Sequence, residues 1–514
     1  MIDRPGDDET RDAAEAAFRA QPDAPSDEPR IAAPKQDVAD LYSDLFPQHD
    51  QPKPTGATPR SAQRITGTAG MRKRSPGAAI PAPKTLEETG LSLVQLSGLV
   101  LKQLYLQGSA LGLEISRSAH LPFSIIDTAL IFLKEEKCIE VTSGNVIGRS
   151  SYRFHLTELG RVRAREAFEQ CRYVGPAPVP LDAYVRQCQL QTVVGIECTP
   201  ERLEDSFSDF IIREGLLEEL GPAVCSGRSI FIYGPPGNGK TLIAKGLGRF
   251  LNRQGGEIHV PYALQMENSI ITLFDPTIHE TTDDHEFLDA SSIQRHTATS
   301  LPDIEDWSKP ETDLRWRRIR RPVVITGGEL NLEMLDLRYN KTSNFYTAPL
   351  HIKANGGVFL IDDFGRQLVS PKDLLNRWIM PLEDRTDYLT LATGKKFAVP
   401  FEQLIVFSTN LDPKDLVDEA FLRRIRHKIH IGPPTRELFT EIAQLCCHQR
   451  NLQYDPVFVD YLYDTYYNQG QSPRSSDPRD LLEILQSICR FKGQEPILST
   501  QIIAEAAQRF FCQL

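Results

Sequence analysis

The 514-residue chain contains no apolar run of the roughly 20 residues needed to cross a bilayer. Its first ten residues, MIDRPGDDET, are acidic and lack an apolar core, so no secretory signal is expected there. The nine cysteines include no CxxC pair. Cys446 and Cys447 are neighbours, but no second pair or His cluster accompanies them, so neither a disulfide framework nor a metal site is expected from cysteine. The expectation is reduced thiols in a cytoplasmic protein. A general excess of positive charge is missing too. A net charge of −11 argues against a protein that coats nucleic acid, although a local basic face is still allowed. What is present is 40% hydrophobic content, enough for sizeable cores, and a length that suggests about three domains.

Residues 1–85 are rich in Pro, Ala, Asp, Gly and Ser and poor in aromatics, the composition of a disordered tail. One island, Asp37 to Phe46, places Val38, Leu41, Tyr42, Leu45 and Phe46 at helical spacing. It reads either as a helix that folds on a partner or as a local accident. Residues 86–175 read as a small domain. A helix is marked by Leu93, Leu96, Leu99, Val100 and Leu104, and a short segment follows over Leu111–Ser118. A third helix opens at Pro122. The ribbon Cys138–Val141 and Tyr152–Leu156 comes next, and Thr157 caps a last helix. Three helices, a ribbon and a closing helix resemble a winged-helix domain, and the LTELGR segment is similar to bacterial regulators of that fold. Its candidate recognition helix offers acids and a single Lys. Residues 86–170 hold nine Lys and Arg against ten Asp and Glu, a net of −1, so protein binding or a structural role is favoured over DNA. Pro176–Pro180 (PAPVP) reads as a hinge. From Cys188 strands and helices alternate, which implies a parallel sheet. Beyond about Thr435 the pattern is helical only.

The chemistry-bearing stretch starts at Arg228–Tyr233, an apolar strand, and continues as Gly234-Pro-Pro-Gly-Asn-Gly-Lys240-Thr241 into a helix. This is GxxxxGK[ST] in its strand–loop–helix context. The glycines let backbone N–H groups close around phosphate oxygens, Lys240 reaches the outer phosphates, and Thr241 offers a hydroxyl to Mg²⁺. The expected nucleotide-holding residues are Gly234, Pro235, Pro236, Gly237, Asn238, Gly239, Lys240, Thr241 and Leu242. A second apolar run, Val358–Ile361, ends in Asp362 and Asp363. Adjacent carboxylates at the mouth of a buried strand need compensation. Mg²⁺ held by Asp362 and Thr241 supplies it, leaving Asp363 to polarise water. The alternative is that Asp363 caps the next helix.

Together GPPGNGKT, VFLIDD, a polar strand end and downstream arginines resemble the AAA+ ATPase superfamily over about 190–500. Most members have Asp-Glu where this chain has Asp362-Asp363, which puts the rate in doubt more than the reaction. The resemblance implies that Asn410, ending Phe401–Asn410, is the sensor 1 residue that contacts the γ-phosphate or orients the water. It makes Arg424, with Arg423 as alternative, an arginine finger for a neighbouring subunit, worth about 10³ to 10⁵ in turnover. Arg479 in Pro478-Arg479-Asp480 becomes the sensor 2 arginine. A hairpin over Tyr388–Pro400, just before sensor 1, resembles those of MoxR-like ATPases, magnesium chelatase and sigma-54 activators. The whole chain is similar to bacterial AAA-family ATPases labelled as having chaperone activity.

The implied fold is α/β: a P-loop AAA+ parallel sheet (190–434) with a C-terminal helical lid (435–514), preceded by the winged helix and the tail. The implied function is hydrolysis of ATP with Mg²⁺, coupled to remodelling or assembly of an unidentified protein client by a homo-oligomer, expected as a ring. Two rivals are a DNA-directed motor and a slow nucleotide-switch scaffold. The long interval 252–350 ends in Arg315, Arg317, Arg318, Arg320 and Arg321 around Trp316. That cluster could stack on nucleic acid, bind an acidic partner, or pair with acids just upstream.

Overall fold

The computed structural model describes residues 78–143, 148–282, 310–416 and 422–511. The island at 37–46 and most of the polar stretch 279–296 lie outside these residues. Order begins earlier than the composition implies. Pro81 bridges to Thr312, and Asp313 N–H donates to the Ile80 carbonyl.

A five-stranded parallel sheet forms the centre. Its order is Val323–Thr326, Val358–Ile361, Leu404–Thr409, Ile230–Tyr233, His427–His430. The three inner strands are short apolar runs because both faces are covered, whereas the edge strands Val323–Thr326 and His427–His430 are partly exposed; period-two alternation sorts the side chains. Ile230, Ile232, Val358, Leu360, Leu404 and Val406 face a cluster that includes Leu203, Phe207, Ile243 and Leu247. Phe231, Phe359, Ile361, Ile405 and Phe407 face the opposite cluster around Phe364, Leu374 and Trp378.

The N-terminal region contains helices Leu93–Gln107, Gly112–Ala119 and Phe123–Glu135, then helix Glu158–Gln170. Thr157 caps the last of these, and Ser92 and Gln95 form a capping box on the first. A three-stranded antiparallel sheet runs in the order Ser109–Leu111, Arg153–Leu156, Ile139–Ser143. The core of this region continues without a break into Ala263 and Ile270 of a second sheet.

That second sheet is the main departure from expectation. Five strands, Arg338–Asn340, Phe345–Thr347, Ser269–Thr272, Ala263–Met266 and Val179–Pro180, make a mixed sheet out of the long interval. The expected hinge PAPVP therefore supplies its edge strand. Val179 pairs with Leu264, and residues 176–179 are buried. Three of the five arginines, Arg315, Arg317 and Arg321, are likewise buried, while Arg318 and Arg320 are exposed. Arg315 is buried against Asp313 and donates to the carbonyls of Thr89 and Pro178. Arg321 is buried and donates to the carbonyls of Gln191, Gly255, Gly256 and Gly356. Trp316 is buried in strand Trp316–Ile319 and has no free face for a base to stack on. Arg318 and Arg320 pair with Glu257 and Glu280.

The hairpin Thr386–Thr390 and Lys396–Pro400 is present. Its inner face, Leu389, Leu391, Phe397 and Val399, packs under the second sheet, and Lys395 at its tip pairs with Glu267. The described elements after Thr435 are all helices and share one core around Phe439, Leu462 and Leu485. Among the described residues no helix is long and apolar enough to cross a membrane.

Candidate active site

The phosphate loop leaves strand Ile230–Tyr233 at Gly234. A Cβ here would lie 2.1 Å from the Ile431 carbonyl oxygen, so only glycine lets the loop pass this edge of the sheet. Gly237 has φ 82°, and a Cβ on it would meet Ser476 Oγ at 2.7 Å. Helix Lys240–Gly255 follows, its first turn bringing Lys240 and Thr241 under the loop.

Lys240 is buried, and its Nζ donates to the carbonyls of Gly234 and Pro235, both at 2.9 Å, and to Asn410 Oδ1 at 2.7 Å. Burial lowers its pKa, while the nearby charges of Asp362 and Asp363 oppose that shift. The Thr241 hydroxyl donates to Asp362 Oδ2 at 2.6 Å. A hydroxyl and a carboxylate side by side are hard oxygen donors of the kind Mg²⁺ selects. Asn410 Nδ2 donates to Asp363 Oδ1 at 2.7 Å, so Asn410 bridges Lys240 and the second acid. Asp363 has φ 49°, in the left-handed region. It caps no helix: the next one, Pro371–Asp384, is capped by Ser370. The turn is held by Gln367, whose Nε2 donates to the Asp362 carbonyl and whose Oε1 accepts from Gly365 N–H. Thr409 Oγ1 donates to the Phe364 carbonyl, clamping the two strand ends together.

The strand that ends at Asn410 therefore lies between the phosphate-loop strand and the acidic strand. This insertion separates the two phosphate-site motifs by one strand and places a polar side chain between them. The chain carries an α/β P-loop fold of the AAA+ type. A stretch of 84 residues is 36% identical to the vesicular-fusion protein Sec18 of Schizosaccharomyces pombe, covering 15% of this chain and 10% of that protein. Residues 435–509 match a family described as a domain of unknown function, DUF8689. Solved structures similar to the chain include NtrX from Brucella abortus in complex with ADP, at 12% identity and TM-score 0.34, covering 60% of this chain and 58% of that one. Domain III of the replication initiation protein DnaA from Thermotoga maritima is 13% identical at TM-score 0.31, covering 62% of this chain and 99% of that one.

The AAA+ fold does not gather every residue the sequence singled out. Arg424 pairs with Glu383 of its own chain at 2.7 Å, and Arg423 is exposed. Arg479 pairs with its neighbour Asp480. The C-terminal helices instead touch the phosphate loop through the turn before Arg479. Ser476 N–H donates to the Gly237 carbonyl at 2.9 Å, and Ser475 N–H to Asn238 Oδ1 at 3.0 Å. Arg474 lies beside Gly237, and its N–H donates to Asp477. Burial raises the Asp477 pKa, against the hydrogen bonds from Tyr467 and Arg474. Gln367 and the 474–476 turn had no sequence signal beyond polar residues near a motif.

Proposed function

We propose that this chain binds ATP at the Gly234–Thr241 loop, hydrolyses it, and uses the cycle to remodel or assemble a protein partner. The supporting observation is the linked set Lys240–Asn410–Asp363 beside Thr241–Asp362, in which all three links are 2.7 Å or shorter. The loop N–H groups cradle phosphate oxygens, and Lys240 exchanges its carbonyl and Asn410 partners for phosphate. Release of Asn410 by Lys240 leaves its amide to orient the attacking water against the Asp363 carboxylate, which accepts the proton. Mg²⁺, held by Thr241 and Asp362, would neutralise phosphate charge. Arg424, or Arg423, serves a neighbouring subunit's site, so activity belongs to a homo-oligomer, which we take to be a ring. For this Arg424 must leave Glu383, a partly exposed pair. Arg479 is proposed to turn inward once phosphate is bound, through the 474–476 contact.

The N-terminal domain is proposed to be a winged-helix-like adaptor for protein. The exposed face of helix Phe123–Glu135 presents Ser124, Thr128, Ile131, Lys134 and Glu135, with one cation among them. The name of Sec18, a vesicular-fusion protein, is in keeping with work on protein partners. We place the protein in the cytoplasm.

The test is phosphate release by the purified full-length chain with Mg²⁺ and with chelator, alongside Lys240→Ala. Lys240→Ala should lose most ATP affinity by calorimetry while keeping its thermal melt. Unchanged ATP binding in the folded variant would remove the phosphate-loop assignment. Clients should then be recovered with Asp363→Asn protein loaded with ATP, and not with Lys240→Ala.

A further inference from the structure

A cleft of about 910 Å³ lies along the outer edge of the central sheet. One wall is the phosphate-loop helix at Lys245 and Arg249, one and two turns beyond Thr241. The other is the edge strand at Val323 and Ile325. The Pro322 carbonyl accepts from Val358 N–H and the Thr326 carbonyl from Asp362 N–H. In a parallel pair, this register turns the main-chain groups of residues 322, 324 and 326 inward and those of Val323 and Ile325 outward. Among the described residues nothing bonds those outward N–H and C=O groups. Ile325 is 41% exposed beside them. Four described strands of the long interval lie in the second sheet rather than beside this edge.

The cleft also has a charge of its own. Five Lys and Arg line it against two carboxylates, on a chain whose net charge is −11. Arg249 pairs with Asp209 and stacks on Phe210, and Arg320 pairs with Glu280. The side chains of both pairs are 42% exposed or more, so an incoming carboxylate displaces them at small cost. Lys245 is exposed.

We propose that this cleft binds an acidic, extended segment of a partner protein. The segment adds to the edge strand through the main-chain groups of Val323 and Ile325, while its carboxylates meet Lys245, Arg249 and Arg320. An unpaired strand edge asks for a ligand with alternating donors and acceptors. A peptide main chain has them, and a phosphodiester backbone has acceptors only. Hydrolysis at the phosphate loop is not needed for this binding, so the two readings fail separately.

The experiment is fluorescence anisotropy on the full-length chain with a labelled decapeptide of alternating Val and Glu. The controls are the same peptide with Lys for Glu, and a labelled single-stranded DNA. The acidic peptide should bind and weaken as salt rises. Lys245→Glu with Arg249→Glu should weaken it about tenfold or more. Ile325→Pro removes one outward N–H where an edge strand tolerates proline, and should weaken it as well. Each variant is checked by its thermal melt, and the double charge reversal remains decisive if the proline variant does not fold. No binding by the acidic peptide overturns the proposal. So does equal binding by the Lys peptide or the DNA, or indifference to the charge reversal.

Discussion

Asp363 has φ 49°, a conformation that costs most L-residues about 1–2 kcal/mol and that Asp and Asn adopt most readily. This gives a physical reason for the shorter acid at a position where most AAA+ proteins carry Glu, and it orders a substitution series. Asp363→Asn keeps the backbone and the shape and removes only the charge. Its oxygen still accepts from Asn410, 2.7 Å away, but without charge assistance. A hydrogen bond to a charged group contributes about 1.5–3 kcal/mol, so the grip on Asn410 weakens while the fold holds. Turnover should fall by about 10² to 10⁴, the range for a positioned acid–base group. Asp363→Glu keeps the charge, meets the backbone penalty, and must fit an extra methylene against Asn410, so its rate should fall too, with a lower melting temperature. Asp363→Ala should lose both rate and stability. Phosphate release, a fluorescent ATP analogue and thermal melts separate the three effects. Wild-type turnover by Asp363→Asn would end the role of this carboxylate. A faster Asp363→Glu enzyme would show that the left-handed backbone is not what selects Asp.

Arg424→Ala should bind ATP and hydrolyse it poorly, and mixing it with Lys240→Ala protein should restore part of the activity. Mixtures of exchanging subunits that never exceed the sum of the two would exclude a shared site. Gly237→Ala puts a Cβ 2.7 Å from Ser476 Oγ on a φ of 82°, so ADP affinity measured by calorimetry should drop about tenfold for the roughly 1–2 kcal/mol involved. Unchanged affinity would show that the 474–476 turn does not constrain the loop. Asp387 is buried between His351 and Arg377; burial alone would raise its pKa, but their hydrogen bonds hold it down at about 2. A depressed carboxylate stabilises the fold above its unfolded value near 4, and that stabilisation is lost as pH falls toward 2. Asp387→Asn should therefore cost roughly 3 kcal/mol at neutral pH, with the gap to wild type closing between about pH 4 and 2 in denaturant titrations. A gap that is constant down to pH 2 would contradict the assignment.

The parts of the site that could be read in advance are those whose signal is contiguous. The loop from Gly234 to Thr241 and the apolar runs ending at Asp362 and Asn410 each carry strand, turn and chemistry within ten residues. Their meeting follows from one rule, that polar strand ends gather at one edge of a parallel sheet. What could not be read depends on partners without side-chain signatures. Arg321 looked like a member of a basic patch because the carbonyls that receive it, at Gln191, Gly255, Gly256 and Gly356, are groups every residue owns. PAPVP looked like a hinge because proline is rare inside sheets. Here Pro180 falls at the end of a two-residue edge strand, where its missing N–H costs nothing. The backbone angle of Asp363 is set by packing around Phe364 and Gln367, which no local pattern announces.

The two-residue strand Val179–Pro180 also bears on how such a chain can be divided or recombined. Arg315 holds the Pro178 carbonyl next to this strand and the Thr89 carbonyl at the head of the preceding region. A crossover placed in the proline-rich stretch would look harmless in sequence. It would pull an edge from one sheet and leave a buried guanidinium short of an acceptor. Grafts or deletions that divide the chain within 176–180 should therefore lower its stability, read as a lower thermal melt. The N-terminal region and the second sheet behave, in this respect, as one piece.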